Sequence, residues 1–164
     1  MYHRTSDAQC LQTPPPGDCS GDGGVSLGGC MDSRCVSDAG TNGRCRLSTG
    51  GAIFCSCTYD TCSRDTDCPN GETCACHGSP YVFGGSMCIK SNCRVDSDCG
   101  AAGYCSPAYN TQSCGTLLGY FCHTPQDQCV NDGDCAGDGG GLPEKCSYST
   151  SGSNWVCMKF GLCA

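Results

Sequence analysis

The chain has 164 residues, 22 of them cysteine, and sets 16 acidic against 9 basic side chains for a net charge of -7. Leu, Ile, Val and Phe together number only 19, too few to fill the apolar core on which an ordinary domain of this length rests. Cysteine at this density marks a disulfide scaffold in an oxidising compartment, extracellular or at the cell surface, and the acidic balance excludes nucleic acid as a partner because its phosphates would be repelled.

Covalent links take over the role of burial. Ordering the backbone costs roughly 1 to 2 kcal/mol per residue, and disulfides at roughly 2 to 4 kcal/mol each restrict the unfolded chain enough to offset much of it. No apolar run approaches the roughly 20 residues of a membrane span. The opening Met1-Tyr2-His3-Arg4-Thr5 lacks the apolar stretch of a signal peptide, so the sequence reads as a mature chain or a piece of a longer one.

Residues 1–61 form a degenerate cysteine-rich region with two competing frames. In one, Cys10, Cys19 and Cys30 are the first three positions of a leading repeat, because Gly17-Asp18-Cys19-Ser20-Gly21-Asp22 echoes Gly133-Asp134-Cys135-Ala136-Gly137-Asp138. In the other, a repeat runs through Cys30, Cys35, Cys45 and Cys55 with Cys57 supernumerary. Pro14-Pro15-Pro16 forbids a helix here. Ala52-Ile53-Phe54 reads as a strand, and Asn42-Gly43 as a hairpin turn.

From Cys62 the organisation is regular, with repeats at 62–92, 93–128 and 129–164. Each opens on Cys-x-x-Asp-x-Asp-Cys: Cys62 to Cys68, Cys93 to Cys99, and Cys129 to Cys135. A third cysteine follows a glycine-containing loop (Cys74, Cys105, Cys146), and a fourth follows an apolar or aromatic stretch (Cys88, Cys122, Cys157). Four cysteines make two internal bridges, with three pairings open. Cys76 and Cys114 fall outside this frame and point to bridges between neighbouring repeats, and Cys163 stands where another repeat would open. Strand-like runs lie at Tyr81-Val82-Phe83, Leu117-Leu118-Gly119-Tyr120-Phe121 and Asn154-Trp155-Val156, with a further turn signal at Asn70-Gly71. The expected fold is small and disulfide-rich: tandem short β-hairpin and loop units, little regular secondary structure, elongated.

The repeated aspartates are the main non-cysteine feature. Asp65, Asp67, Asp96, Asp98, Asp132, Asp134 and Asp138 could offer oxygens to Ca²⁺, but no phrase supplies the six to eight oxygens of a full calcium loop. The structural reading is preferred: an Asp near a cysteine accepts backbone N–H bonds and fixes the turn that aims the sulfur. Cys55-Ser56-Cys57 and Cys74-Ala75-Cys76 lack the paired blocks of a zinc site and are read as disulfide partners. His3, His77 and His123 sit in no nucleophile motif, so no enzyme is expected. Tyr109, Tyr120 and Trp155 are candidates for contact with protein or glycan, against a reading in which the aromatics cover the disulfides as a miniature core.

Two resemblances rest on these residues. The Cys-x-x-Asp-x-Asp-Cys phrase followed by Lys145-Cys146 is similar to the opening of whey acidic protein type four-disulfide modules, although their adjacent cysteine pair is absent at Cys146. That likeness implies protease inhibition; an inhibitor of any kind needs an exposed, rigid loop between bridges, for which Arg44, Arg46 and Lys145 are candidate tip residues. The run from Cys93 to Pro107, followed by Tyr120-Phe121-Cys122-His123-Thr124-Pro125 and Cys129, resembles cysteine-rich repeats in secreted proteins and lipoproteins of myxobacteria and related bacteria. This resemblance covers residues 62–163 and implies an envelope or extracellular location without an activity. The expected function is a non-enzymatic structural or adhesive module of an extended or filamentous assembly, with a secreted protease inhibitor or glycan binder as the alternative.

Overall fold

The computed structural model describes residues 3–10, 35–38, 40, 43–49, 53–77, 79, 82, 85–111, 116–135 and 143–160. Among the described residues eight strands pair as four separate two-stranded antiparallel hairpins: β1 (Arg44–Thr49) with β2 (Ile53–Thr58), β3 (Glu72–Ala75) with β4 (Met87–Lys90), β5 (Tyr104–Tyr109) with β6 (Leu117–His123), and β7 (Glu144–Ser149) with β8 (Asn154–Lys159). Among the described residues no helix is long and apolar enough to cross a membrane.

The chain divides into two compact units. One comprises Met1–Asp7, Pro69–Thr73 and Ile89–Ala164; the other comprises Ala8–Cys68 and Cys74–Cys88. The repeat at 62–92 contributes residues to both.

The repeats share one bridging rule, first cysteine to third and second to fourth. The first kind is Cys62–Cys74, Cys93–Cys105 and Cys129–Cys146, and the second Cys68–Cys88, Cys99–Cys122 and Cys135–Cys157. In the hairpins of the last two repeats the third and fourth cysteines face each other, Cys105 opposite Cys122 and Cys146 opposite Cys157. The β1–β2 hairpin follows the same plan with Cys45 opposite Cys57, and Cys57 bridges to Cys35. Cys57 therefore takes the fourth place in the frame that begins at Cys30, and Cys55 is the additional cysteine, the reverse of the sequence expectation. Cys76, outside the repeat frame, bonds to Cys10. Cys19, Cys30, Cys114 and Cys163 lie outside the described residues, and no described cysteine is free.

Each Asp-x-Asp phrase winds a single 3-10 turn, at Asp65–Asp67, Asp96–Cys99 and Asp132–Cys135. The turn signals do not sit at hairpin tips. Asn70-Gly71 leads into β3, with Gly71 at φ +83° and Glu72 N–H bonded to Pro69 O, and Gly43 immediately precedes β1. The strand expected at Tyr81-Val82-Phe83 does not form around Val82, its only described residue, and β4 begins at Met87.

Burial is correspondingly small-scale. In the unit holding residues 89–164, Ala108, Phe121, Cys129, Cys135, Tyr148 and Trp155 form one cluster, and Cys93, Cys105 and Tyr120 form another with Ile89 against it. In the other unit Cys62, Cys68 and Cys74 are buried with Ala8, Cys10 and Cys88 packed on them.

Candidate functional site

The first aspartate of each phrase holds the backbone of the third cysteine. Asp65 Oδ1 accepts the Cys74 N–H at 2.9 Å, Asp96 Oδ1 the Cys105 N–H at 2.8 Å, and Asp132 Oδ1 the Cys146 N–H at 3.1 Å. The other oxygen takes a different partner each time: the Ala8 N–H at 2.8 Å for Asp65, the His3 ring 3.6 Å away for Asp96, and Lys145 Nζ at 2.7 Å for Asp132.

The second aspartate of each phrase reaches back over the start of its turn. Asp67 Oδ2 accepts the N–H groups of Ser63 and Arg64, Asp98 Oδ2 those of Arg94 and Val95, and Asp134 Oδ2 those of Val130 and Asn131. These donors stabilise the ionised form, so all three carboxyls are held below the usual aspartate range. For Asp67 the Ser63 backbone N–H is the largest cause, and the Ser63 hydroxyl adds to it. The six described carboxylates are thus engaged in fixing turns, which is the structural reading. Asp138 lies outside the described residues.

A second repeated device closes each repeat on itself. The residue before the first cysteine donates its N–H to the carbonyl two residues before the fourth: Thr61 to Ser86 (2.8 Å), Asn92 to Tyr120 (3.1 Å) and Gln128 to Trp155 (2.9 Å). A neighbouring side chain reinforces it, Asp60 accepting from Ser86 N–H, Asn92 from Cys122 N–H and Asp127 from Trp155 N–H. Sequence reasoning missed Asp60, Asn92 and Asp127. The signal was an acid or amide one or two residues ahead of Cys62, Cys93 and Cys129, just outside a frame drawn from cysteine to cysteine.

A run of stacked rings lies in the unit that holds residues 89–164. His3, Tyr104, His123 and Trp155 stack in succession with ring centroids 4.1, 4.6 and 4.0 Å apart. Tyr148 meets Trp155 edge-on at 5.9 Å and stacks on Phe121 at 3.9 Å. His123 Nδ1 lies 3.0 Å from Asp127 Oδ2. A carboxylate only accepts, so Nδ1 carries the proton. Burial pushes the imidazole below its usual pKa, and the Asp127 carboxylate only partly opposes this. With Tyr104 on one side, Trp155 on the other and Nδ1 bonded to Asp127, this ring is held as a packing element.

This geometry corrects the contact candidates. Tyr120 and Trp155 are 5% and 3% exposed, at equivalent places two residues before the fourth cysteine, and their faces are taken up inside the molecule. Arg4 lies 4.4 Å over the Tyr120 ring, and Trp155 Nε1–H donates to Cys122 O. Tyr109 is half-buried, and its carbonyl accepts the Ser147 hydroxyl. The rings serve as the miniature core because so few aliphatic side chains exist to do so. Of the residues suited to an inhibitory tip, Arg46 is fully buried and Lys145 is paired with Asp132.

Four groups of three sulfurs lie within 4.8 Å of one another: Cys10, Cys74 and Cys76; Cys62, Cys68 and Cys88; Cys93, Cys99 and Cys122; Cys129, Cys135 and Cys157. All twelve are in disulfides, so these groups are bridges packed against bridges and hold no thiolate ligand. Comparison with known proteins returned no match to any family model, curated protein or solved structure.

Proposed function

We propose that the chain is a non-enzymatic extracellular module, structural or adhesive, acting as a subunit of an extended or filamentous surface assembly whose partners are further copies or other proteins. The observation that supports this reading is the division of labour inside a repeat. Both bridges, the first aspartate's bond to the third cysteine, the second aspartate's bonds at the start of its turn and the closing backbone hydrogen bond recur in all three repeats. The scaffold is therefore invariant, and what differs between repeats is the connection between their paired strands, 76–86, 110–116 and 150–153. An invariant frame carrying variable tips is what a surface module needs, and tandem frames joined head to tail extend by addition. The disulfide density supports an oxidising, extracellular setting for the module. Electron microscopy of native material tests the proposal: ordered multimers or filaments are expected, and isolated monomers under all conditions overturn it.

A further inference from the structure

Three bridges crowd together in the unit comprising Ala8–Cys68 and Cys74–Cys88. Cys10–Cys76 lies against Cys62–Cys74, with Cys10 Sγ 3.5 Å from Cys74 Sγ. Neither sulfur carries a hydrogen, so this is a contact between two disulfides. On the other side of the group, Cys62 Sγ is within 4.8 Å of both sulfurs of Cys68–Cys88.

The Cys10–Cys76 bridge differs from its neighbours in two respects. It lies outside the first-to-third and second-to-fourth frame that the repeats at 93–128 and 129–164 share with the one at 62–92. Cys10 and Cys76 are both half-buried, as are Cys99 and Cys122, whereas the two neighbouring bridges bury Cys62, Cys74 and Cys68 and leave only Cys88 half-buried. Within this group of three bridges an incoming thiolate therefore meets Cys10–Cys76 first.

We propose that Cys10–Cys76 is a thiol–disulfide exchange site for low-molecular-weight thiols, and that it passes the exchange inward to Cys62–Cys74. In the first step the thiolate attacks Cys76 Sγ. A mixed disulfide forms on Cys76, the Cys10–Cys76 bond breaks, and its electron pair leaves on Cys10 as a thiolate. In the second step Cys10 Sγ attacks Cys74 Sγ across the 3.5 Å contact. The Cys10–Cys74 bond forms, the Cys62–Cys74 bond breaks, and Cys62 leaves as a thiolate that takes a proton from water. The number of S–S bonds is unchanged, so no oxidant is consumed. The product carries an adduct on Cys76, keeps the N-terminal segment tied through Cys10, and holds a new thiol at Cys62 beside Cys68–Cys88.

The test is limited treatment of the native protein with glutathione, followed by acid quench, alkylation and mass-spectrometric mapping. Expected are glutathione on Cys76, the alkyl label on Cys62 and a Cys10–Cys74 bridge, with the bridges of the two later repeats intact. Label on Cys10 while Cys62–Cys74 persists, or first reaction at any other bridge, overturns the proposal. In a Cys10→Ser/Cys76→Ser variant the opening of Cys62–Cys74 slows about tenfold, the ratio of a roughly millimolar intramolecular effective concentration to an external thiol at about a tenth of that. An unchanged rate is equally fatal, and the mapping on the native chain decides the matter even where the variant does not fold.

Discussion

Asp65 and Asp132 hold equivalent places in their repeats yet stand in different surroundings. Asp65 is 1% exposed and accepts two backbone N–H groups, from Cys74 and Ala8, so Asp65→Ala leaves buried donors unpaired at a cost of about 2 to 3 kcal/mol. The Asp132 side chain is 53% exposed and its Lys145 pair is screened by water, so Asp132→Ala costs about 1 kcal/mol or less. Thermal unfolding of the oxidised variants checks this, and equal losses in melting temperature would contradict it. Acid acts on the second aspartates. Asp67, Asp98 and Asp134 are ionised more readily in the folded chain, so their stabilisation is full above the unfolded value of about 3.9 and is lost as pH falls through the lower folded values. Melting temperature should therefore drop in acid below about pH 4, and the drop should shrink in Asp98→Asn. His123 acts at higher pH but in the same direction. Its folded pKa is depressed, so the unfolded chain takes up a proton first and stability declines as pH falls below about 6.5. An NMR titration should show the His123 ring changing at lower pH in the folded protein than in the unfolded chain.

The hairpins were legible only by halves. Second strands such as Leu117–His123 and Asn154–Lys159 announce themselves through aromatic and aliphatic runs. The first strands, Glu72–Ala75, Tyr104–Tyr109 and Glu144–Ser149, carry Ser, Thr, Pro and Lys and have no comparable run; the bridges and the opposite strand hold them extended. The repeated disulfide-rich hairpin units were visible because cysteine spacing is itself a geometric constraint. The burial of Tyr120 and Trp155 agrees with the reading of the aromatics as a miniature core, whereas their particular partners, Arg4 over Tyr120 and His123 on Trp155, come from distant parts of the sequence and were not legible. Backbone packing around β6 makes one position intolerant: a Cβ on Gly119 would run into the Lys90 carbonyl oxygen and the Phe121 ring. Gly119→Ala should destabilise the β5–β6 hairpin by about 1 to 3 kcal/mol, read as a lower melting temperature and faster amide exchange along Tyr104–Tyr109.

Across the whole molecule, order comes from covalent closure repeated along the chain. The described aspartates of the repeats spend carboxylate oxygens on backbone N–H groups, so a calorimetric titration with Ca²⁺ is expected to give no heat and no change in melting. Heat of binding would return them to the role of ligands. The carboxylate bound to the third cysteine also bears on how such a chain is made. Four thiols in one repeat allow three pairings, and before any bond has formed a newly made chain must choose among them. Asp96 lies three residues after Cys93, and its hydrogen bond to the Cys105 N–H draws the ends of the Cys93–Cys105 loop together. The aspartate is thus a template for oxidation. Oxidative refolding of Asp96→Ala should yield a larger share of scrambled isomers than the native chain, separable by chromatography, so part of the work of an isomerase is written into the substrate.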